Sequence, residues 1–505
     1  MIKIIDCGSQ LTQNIARRIR ELGVFAEILP FYTSPTDIFK DKPDGIIISG
    51  GQFSVHDENS PIYAPEILST AVPVLGICFG QQAIAYHLGG QVVSARDREY
   101  GETEIVLENE SPLFSGVKNK FQAWMSHGDI VEKPPHGFKT TARSQNGFIA
   151  AMEKKNIFAV QFHPEVDHTE FGRIILDNFL KICNAQRIWN PEKEYECVME
   201  ETREMVRGKI GIGGISGGVD STTLSVLLGK IAGDNYHPIF VDNGLLRMNE
   251  AAEVKSFLAT FDLNVRYVDA SVEFLEKLSG IADPDEKRKI IGHEFIRVFE
   301  KIAKGTPNVT YLAQGTLYPD VIESVPVYGS SSKIKRHHNV GGLPEKMNLE
   351  IVEPFRNMFK DEVRVIAEQK LGIHKEIVHR HPFPGPGLAV RIVGEITREK
   401  IELVRQADAI FLDELKKRNL YYKISQAFAV LTDIHSVGVM GDEGNYEGVI
   451  ALRAITSNDF MTSDWFPFSK FDLTGIANRI INEVKCVNRV VYDITQKPPG
   501  TIEWE

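Results

Sequence analysis

The chain contains 505 residues, of which 43% are hydrophobic and 25% charged, so two or three soluble globular domains are expected. Its formal net charge of −11 at pH 7 argues against binding of polymeric nucleic acid, and no segment approaches the roughly 18 apolar residues that span a membrane. The five cysteines are irregularly spaced, with neither a disulfide framework nor a CxxC metal pattern, which favours the reducing cytoplasm.

The first part of the chain alternates short apolar runs with helical patterns. Strands are predicted at residues 2–5, 45–48, 72–77 and 158–162, and helices at residues 11–22 and 81–88. This alternation is typical of an α/β sheet with at least some parallel strands. Because Trp189-Asn190-Pro191 marks a plausible boundary, we place the first domain at residues 1–188.

A cysteine lies where the strand at residues 72–77 turns into the next helix. Gly76 and Gly80 flank Cys78, and small neighbours permit the strained turn of a nucleophile elbow, which projects the side chain into open space. A thiolate nucleophile needs a base, and the base needs an orienting group. His163 and Glu165 lie two residues apart at the end of an extended segment and can point the same way. Each residue alone is more typical of ordinary packing, but together they predict a catalytic triad.

With four further blocks, this pattern resembles the class I glutamine amidotransferases over residues 1 to about 185. The blocks are Gly8-Ser9-Gln10, Ser49-Gly50-Gly51, Arg98-Glu99-Tyr100-Gly101 and Ser126-His127-Gly128-Asp129. The resemblance implies that Cys78 attacks glutamine, that Gly51 and Phe79 form the oxyanion hole, and that Gln82 and Asp129 help to seat glutamine. Two backbone donors aimed at the oxyanion lower the barrier by about 3 kcal/mol each.

Two further domains are predicted beyond residue 188. Strands expected at residues 210–215, 238–242, 265–269 and 309–313 indicate a second α/β domain at residues 189–380. After a Pro/Gly-rich run, strands expected at residues 388–393, 427–431, 449–455 and 489–494 interleave with helices at residues 398–418 and 474–484. This indicates an α+β domain of normal size at residues 381–505.

The strand at residues 210–215 runs into a Gly-rich turn and then a helix, an arrangement that cradles phosphate. The turn consists of Ser216, Gly217, Gly218, Val219, Asp220, Ser221 and Thr222. It lacks the lysine of a Walker A motif and the third glycine of a dinucleotide fingerprint. A carboxylate beside phosphates indicates that Mg²⁺ lies between them. The turn resembles that of the ATP pyrophosphatases, which split ATP into AMP and pyrophosphate while adenylating an oxygen.

The two halves together predict glutamine-dependent amination through an adenylyl intermediate, because ammonia needs an activated acceptor. At this level the acceptor is open, since NAD, asparagine and argininosuccinate synthetases use similar turns. Longer motifs resemble the GMP synthase family, and the likeness then covers essentially the whole chain. These motifs are residues 283–292, 335–343, 360–364, 381–387 and 497–505.

The GMP synthase resemblance implies that xanthosine 5′-monophosphate (XMP) is adenylated and then aminated to GMP. ATP would lie on residues 216–222, with Asp220 helping to hold Mg²⁺ against pyrophosphate. The implied XMP contacts are Arg288, Gln426, Lys497 and Glu503. A phosphate suits Arg and Lys, and a purine edge can use an amide and a carboxylate. The resemblance also implies a homodimer formed through residues 381–505.

The Gly/Ser/Lys/His-rich stretch at residues 329–342 has little periodicity and is predicted to be a mobile loop. Residues 333–342 within it are predicted to be a lid that closes over the nucleotide phosphates and excludes water. Its candidate residues are Lys333, Lys335, His337 and His338. The alternative is a basic loop without a role.

Two alternatives remain for the chain as a whole. One is an amidotransferase that acts on a different adenylated acceptor, like a NAD synthetase. The other is a regulatory nucleotide-binding protein whose catalytic halves have decayed. The presence of Cys78, His163, Glu165 and Asp220 argues against decay, and the terminal sequence KPPGTIEWE argues against the NAD synthetase.

Overall fold

A computed structural model describes the chain except residues 62, 325–348, 441–442, 458–459, 461 and 498. The described chain divides into two compact units, one of Met1–Glu194 with residues 322–324, and one of Tyr195–Val321 with the described residues from 349 to 505. The predicted lid residues Lys333, Lys335, His337 and His338 lie outside the described residues. Of the helices in the described ranges, none is long and apolar enough to cross a membrane.

The first unit is built on a nine-stranded sheet of order β2-β1-β3-β4-β9-β8-β7-β5-β6. Its strands are β1 Ile2–Asp6, β2 Ala26–Pro30, β3 Gly45–Ile48, β4 Val74–Ile77, β5 Gln91–Leu107, β6 Lys120–Lys133, β7 Lys139–Ser144, β8 Ile149–Lys154 and β9 Ile157–Val160. The pairs from β2 to β9 are parallel, and those from β9 to β6 are antiparallel. The short parallel strands are apolar runs, as expected for strands buried on both faces.

Helices cover the parallel part of this sheet. They are α1 Thr12–Glu21, α2 Pro35–Phe39, α3 Phe79–His87 and α4 Gly172–Ile182. The next helix, α5 Pro191–Val206, lies mostly in the second unit, where Tyr195, Val198 and Val206 join an apolar core. Helix α1 buries Ile15, Ala16 and Ile19, which share one face because they are spaced three and four residues apart. The sheet and its helices thus hold β4 and α3 rigidly at the point where Cys78 lies.

The second unit contains a parallel five-stranded sheet of order β12-β11-β10-β13-β14. Its strands are β10 Ile210–Ile215, β11 Tyr236–Asp242, β12 Arg266–Asp269, β13 Val309–Ala313 and β14 Glu350–Val352. Its helices are α6 Val219–Ala232, α7 Glu250–Leu258, α8 Ser271–Leu278, α9 Pro284–Lys304, α10 Tyr318–Ser324, α11 Lys360–Val365 and α12 Lys375–Val378. The strand order reverses at β10, and ligands of such sheets bind beyond the carboxyl end of the strand at that point.

The remainder of the second unit is an α+β arrangement. It contains α13 Arg398–Lys417, β15 Gln426–Met440, β16 Glu443–Thr456, β17 Asp464–Trp465, α14 Lys470–Glu483 and β18 Val487–Tyr492. Strand β16 lies between β15 and β17, with β18 paired to it in parallel. One continuous apolar core extends from Ile212 and Ile239 of the five-stranded sheet to Ile450 and Leu452 of β16. The predicted α/β fold class, with an α+β portion at the C-terminal end, is confirmed.

The strand predicted at residues 388–393 is wrong, because Gly387–Arg391 forms a 3₁₀ helix. Gly387 has a φ of +63°, and a Cβ at this position would lie 2.5 Å from the carbonyl oxygen of Leu245. The N–H of Leu388 donates to that same oxygen at 2.8 Å. A short buried apolar run does not distinguish a strand from a helical turn by its periodicity.

Candidate active sites

Cys78 forms the turn between β4 and α3 and is only 4% exposed. Its φ of +54° lies in the left-handed region, which is strained for a residue with a side chain. A Cβ on Gly76 would lie 2.6 Å from the carbonyl oxygen of Gly80, and one on Gly80 would lie 2.3 Å from that of Ile48. Both glycines are therefore needed for the turn to form, as a nucleophile elbow requires.

The side chains of His163 and Glu165 meet Cys78 inside the first unit. The Nδ1 atom of His163 lies 2.8 Å from Oε1 of Glu165, and the imidazole also interacts with the Cys78 thiol. Burial opposes the charged imidazole, but Glu165 and Cys78 outweigh burial and raise the pKa of His163 well above its usual value. The Nδ1–H bond orients the ring, so the three residues have the geometry of a thiol, a base and an orienting acid.

The predicted oxyanion donors, Phe79 and Gly51, lie near each other, because a Cβ on Gly51 would lie 3.5 Å from Cγ of Phe79. Phe79 is the first residue of α3, where N–H groups have no acceptor within the helix. Gly51 follows β3, and a Cβ at this position would lie 2.5 Å from the carbonyl oxygen of Cys7. Glycine is therefore the residue that allows the backbone to approach this closely.

The predicted glutamine-seating residues contact each other. The Nε2 of Gln82 donates to the carbonyl oxygen of Asp129 at 2.8 Å. The Asp129 carboxylate accepts from Oγ of Ser54 at 2.5 Å and from Oγ of Ser94 at 2.9 Å. The carbonyl oxygen of Ser126 lies 3.6 Å from Sγ of Cys78. The segment from residue 126 to 129 thus runs from the thiol to the side chains proposed to seat glutamine.

The phosphate turn in the second unit is held by its own side chains. The Oγ of Ser221 accepts from the N–H of Ser216 at 3.1 Å and donates to the carbonyl oxygen of Gly218 at 3.2 Å. Gly217 has a φ of +78°, and the N–H of Thr222 donates to the Gly218 carbonyl oxygen at 3.1 Å. The turn therefore stands preformed at the N-terminus of α6, at the carboxyl end of β10.

Asp220 stands out in this turn because one of its oxygens is unsatisfied. Its Oδ1 is buried and has no hydrogen-bond partner in the part of the chain that the structure describes. Its Oδ2 lies 3.2 Å from Nζ of Lys360, the first residue of α11. A buried carboxylate oxygen without a donor is a suitable ligand for a hard cation.

Three of the four predicted XMP residues are tied to the C-terminal tail. Glu503 accepts from Nε2 of Gln426 at 2.8 Å and from two guanidinium nitrogens of Arg391 at 3.1 and 3.2 Å. Arg391 is fully buried, with its guanidinium over the rings of Phe428 at 4.3 Å and Phe383 at 5.0 Å. These contacts fix the carboxylate of Glu503 beside the amide of Gln426.

A second anchor holds the tail two residues further on. Glu505 pairs through its side chain with Nζ of Lys287 and through its carbonyl oxygen with Arg288. Lys287 is fully buried and also donates to the carbonyl oxygens of Ile392 at 2.7 Å and Ala389 at 3.3 Å. All three protons of the ammonium group therefore have acceptors.

Lys497, the fourth predicted XMP residue, lies earlier on the tail. Its Nζ donates to the carbonyl oxygen of Phe460 at 2.7 Å, and its backbone pairs with Ser463. The structure thus places Arg288, Gln426 and Glu503 around residues 503–505, with Lys497 on the same tail.

Comparisons with known proteins cover the chain from end to end. Residues 3–183 match the class-I glutamine amidotransferase family, and residues 413–504 match the GMP synthase C-terminal domain. The glutamine-hydrolyzing GMP synthase of Brachyspira hyodysenteriae is 52% identical over 100% of this chain and 99% of its own length. That of Carboxydothermus hydrogenoformans is 52% identical over 99% of each chain. The chain belongs to the GMP synthase family.

A solved glutamine amidotransferase of Thermotoga maritima covers 37% of this chain and 98% of its own, at 17% identity and a TM-score of 0.30. The family predicted from the sequence is confirmed by the full-length GMP synthase relatives and the two family matches. The alternative of an amidotransferase for a different acceptor is not favoured, because the GMP synthase relatives match over the full length.

Three positively charged side chains that contact predicted site residues or the C-terminal tail were not predicted from the sequence. Lys360 contacts Asp220, Lys287 contacts Glu505, and Arg391 contacts Glu503. Each lies inside or beside a block that was matched to the family, namely residues 360–364, 283–292 and 381–387. The sequence does not show that these side chains are buried or paired, and a charged residue is expected on the surface unless it is paired.

Proposed function

We propose that this protein is a glutamine-hydrolysing GMP synthase, a ligase that forms a C–N bond. Glutamine and water give glutamate and ammonia. ATP and XMP give adenyl-XMP and pyrophosphate, and ammonia then displaces AMP to give GMP. The observation that carries the proposal is that one chain holds both the Cys78–His163–Glu165 arrangement and a phosphate turn with an unsatisfied acid, Asp220.

The first unit supplies the glutaminase chemistry. Cys78 attacks the carboxamide carbon of glutamine while His163, oriented by Glu165, manages the proton. The N–H groups of Gly51 and Phe79 stabilise the oxyanion. His163 then protonates the departing ammonia and activates the water that cleaves the thioester. The raised pKa of His163 supports this assignment, because the imidazolium is the form that donates a proton to the leaving group.

The second unit supplies the adenylation chemistry. Backbone N–H groups of residues 216–222, together with the N-terminus of α6, would hold the ATP phosphates. Asp220 would hold Mg²⁺ against pyrophosphate, and bound Mg²⁺ neutralises phosphate charge. Among the described residues, no group of three or more His, Cys, Asp or Glu side chains forms a metal site, so phosphate oxygens would complete the ligand set. We assign Lys360, which pairs with Asp220, to the same phosphates.

The tail supplies the XMP site. Arg288 and Lys497 are assigned to the nucleotide through their charge, and Gln426 and Glu503 to the purine edge through their hydrogen-bonding groups. The pairing of Glu503 with Gln426 supports this assignment, since the two groups already face each other.

A homodimer through residues 381–505 is proposed as well. The arm formed by β15 and β16 exposes apolar side chains, with Ile434 61%, Val437 70%, Val439 74% and Tyr446 69% accessible. A second copy of the arm would cover them. Sedimentation analysis of the full chain tests the proposal. We also propose a cytoplasmic location, which suits five free cysteines.

The proposed activity is tested by incubating the protein with XMP, ATP and Mg²⁺, adding glutamine to one sample and ammonium to another. We expect GMP and AMP in both samples. Product with ammonium alone would place the fault in the glutaminase half. The absence of GMP from both samples, with folded protein, would contradict the proposed acceptor.

Replacing Lys497 with alanine is expected to raise the KM for XMP about tenfold, equivalent to about 1.4 kcal/mol, because a charge-assisted contact is lost. The KM for glutamine should not change. Steady-state kinetics measures both values, with Lys485→Ala as a control at an exposed lysine of the same region. An unchanged KM for XMP would rule out this assignment of Lys497.

Lys287→Met is expected to raise the KM for XMP more than tenfold. The substitution leaves the 7% exposed side chain of Glu505 without its cation, which costs about 3–5 kcal/mol and releases the tail. The double variant Lys287→Met/Glu505→Gln should be less impaired than Lys287→Met, because neither charge is then left uncompensated. Double-mutant kinetics with XMP measures this coupling, and strictly additive losses would contradict it.

A further inference from the structure

The ladder between β5 and β6 is interrupted beside the glutamine-seating residue Asp129. Ser94 pairs with Asp129, and the next pair along the ladder is Glu99 with His127. Four residues of β5, 95–98, therefore face the single residue Gly128 of β6. Such irregularities re-aim side chains, but they also remove the main-chain hydrogen bonds that would fix the strand. Other contacts must hold Asp129 in place.

A buried pair lies at the edge of this interruption. The side chains of Glu99 and His127 are each 2% exposed, and Nε2 of His127 lies 3.1 Å from Oε2 of Glu99. The other oxygen of Glu99 accepts from Oγ of Ser144 at 2.8 Å and from Nδ2 of Asn146 at 2.7 Å. Burial opposes ionisation of Glu99, but these bonds outweigh it and lower the pKa of the carboxyl. The carboxylate is ionised and fully hydrogen-bonded.

The other ring nitrogen of His127 holds the backbone of the glutamine seat. Its Nδ1 lies 3.0 Å from the carbonyl oxygen of Asp129, the same oxygen that accepts from Nε2 of Gln82. A carbonyl oxygen only accepts, and so does an ionised carboxylate. The imidazole of His127 therefore bridges the Glu99 carboxylate and the backbone of Asp129.

We propose that Glu99 and His127 are positioning residues for glutamine, holding residues 126–129 at the distance from Cys78 that the carboxamide requires. The inference rests on the proposed glutaminase function. Neither residue touches the reacting atoms. They act by holding the carbonyl oxygen of Asp129. This oxygen accepts from Gln82, so its position sets the orientation of the Gln82 side chain, and fixing the Asp129 backbone also positions the Asp129 carboxylate. We call this set, Glu99, His127 and the Asp129 carbonyl, the seat latch.

A kinetic test distinguishes a loss of glutamine positioning by the seat latch from a general loss of protein stability. His127→Ala and Glu99→Ala are expected to raise the KM for glutamine at least tenfold and to leave the ammonium-driven reaction unchanged. Glu99→Gln should rescue most of the loss. Its amide can donate to Nε2 of a neutral His127, whose Nδ1–H still reaches Asp129. A KM for glutamine within twofold of wild type in both alanine variants would overturn the proposal, as would a Glu99→Gln defect equal to that of Glu99→Ala.

A labelling experiment distinguishes failure of the latch from failure of the proposed function. A diazoketone analogue of glutamine alkylates a cysteine only when it is seated, whereas iodoacetamide needs no seat. The latch predicts that His127→Ala slows the analogue at least tenfold and leaves iodoacetamide labelling of Cys78 unchanged. Equal rates of analogue labelling in variant and wild type would overturn the latch. So would an equal slowing of both reagents, which indicates a misfolded unit. If the analogue fails to label the wild type, the glutaminase function itself is wrong.

Discussion

Cys78→Ala is expected to abolish GMP formation from glutamine while leaving GMP formation from ammonium intact. Alanine keeps the elbow backbone but removes the atom that attacks the carboxamide. Loss of a nucleophile lowers kcat by about 10³-fold or more, with a residual rate from the remaining site. The second unit holds the ATP and XMP residues, so its chemistry continues with supplied ammonium. Paired assays of GMP with the two nitrogen sources measure this separation.

The matched control is Cys197→Ala, which changes an exposed cysteine of α5 and should leave both reactions unaltered. Loss of the ammonium reaction in Cys78→Ala would contradict the proposed division of labour. Retention of the glutamine reaction would remove Cys78 from the mechanism.

Asp220→Asn is expected to give the opposite pattern, with both nitrogen sources failing. An amide keeps the shape of the side chain but loses the charge that would hold Mg²⁺ against pyrophosphate. We expect a decrease of about 10²- to 10³-fold in GMP formation, equivalent to about 2.7–4 kcal/mol of barrier. Release of pyrophosphate from ATP measures the adenylation step directly.

Two further measurements complete this test. Labelling of Cys78 by the diazoketone analogue should remain at the wild-type rate in Asp220→Asn, because Cys78 lies in the first unit and Asp220 in the second. Asp234→Asn, at an exposed acid after α6, should leave pyrophosphate release unchanged. A variant at Asp220 that released pyrophosphate within threefold of wild type would contradict the role given to its carboxylate.

The sequence predicted what depends on short local patterns. A strand, a glycine-rich turn and a helix follow one another around Cys78 and again around Asp220. Both turns could be predicted because their conformation depends on a few neighbouring residues. The run at residues 388–393 was mistaken for a strand, because burial by the Leu245 loop, and not local pattern, decides its conformation. The catalytic roles given to the site residues remain predictions.

Long-range charge pairing was beyond the sequence. Lys287 and Glu505 are 218 positions apart, Arg391 and Glu503 are 112 apart, and no periodicity links such partners. Likewise, the REYG and SHGD blocks marked a family, but only the strand register brought Glu99 opposite His127. What could not be predicted is which charged side chains leave the surface, since that depends on the whole fold.

The apolar core shared by the five-stranded sheet and β16 has a consequence for how this protein can be divided. Ile212, Ile239, Ile450 and Leu452 belong to the same packed interior. If the chain were divided near residue 380, each fragment would expose an apolar surface that is buried in the intact protein. Neither fragment should therefore be soluble when it is expressed alone. Co-expressed halves should instead assemble into one particle and melt in one step. Circular permutation or division of the chain should therefore be tolerated better at positions outside this shared core than near residue 380.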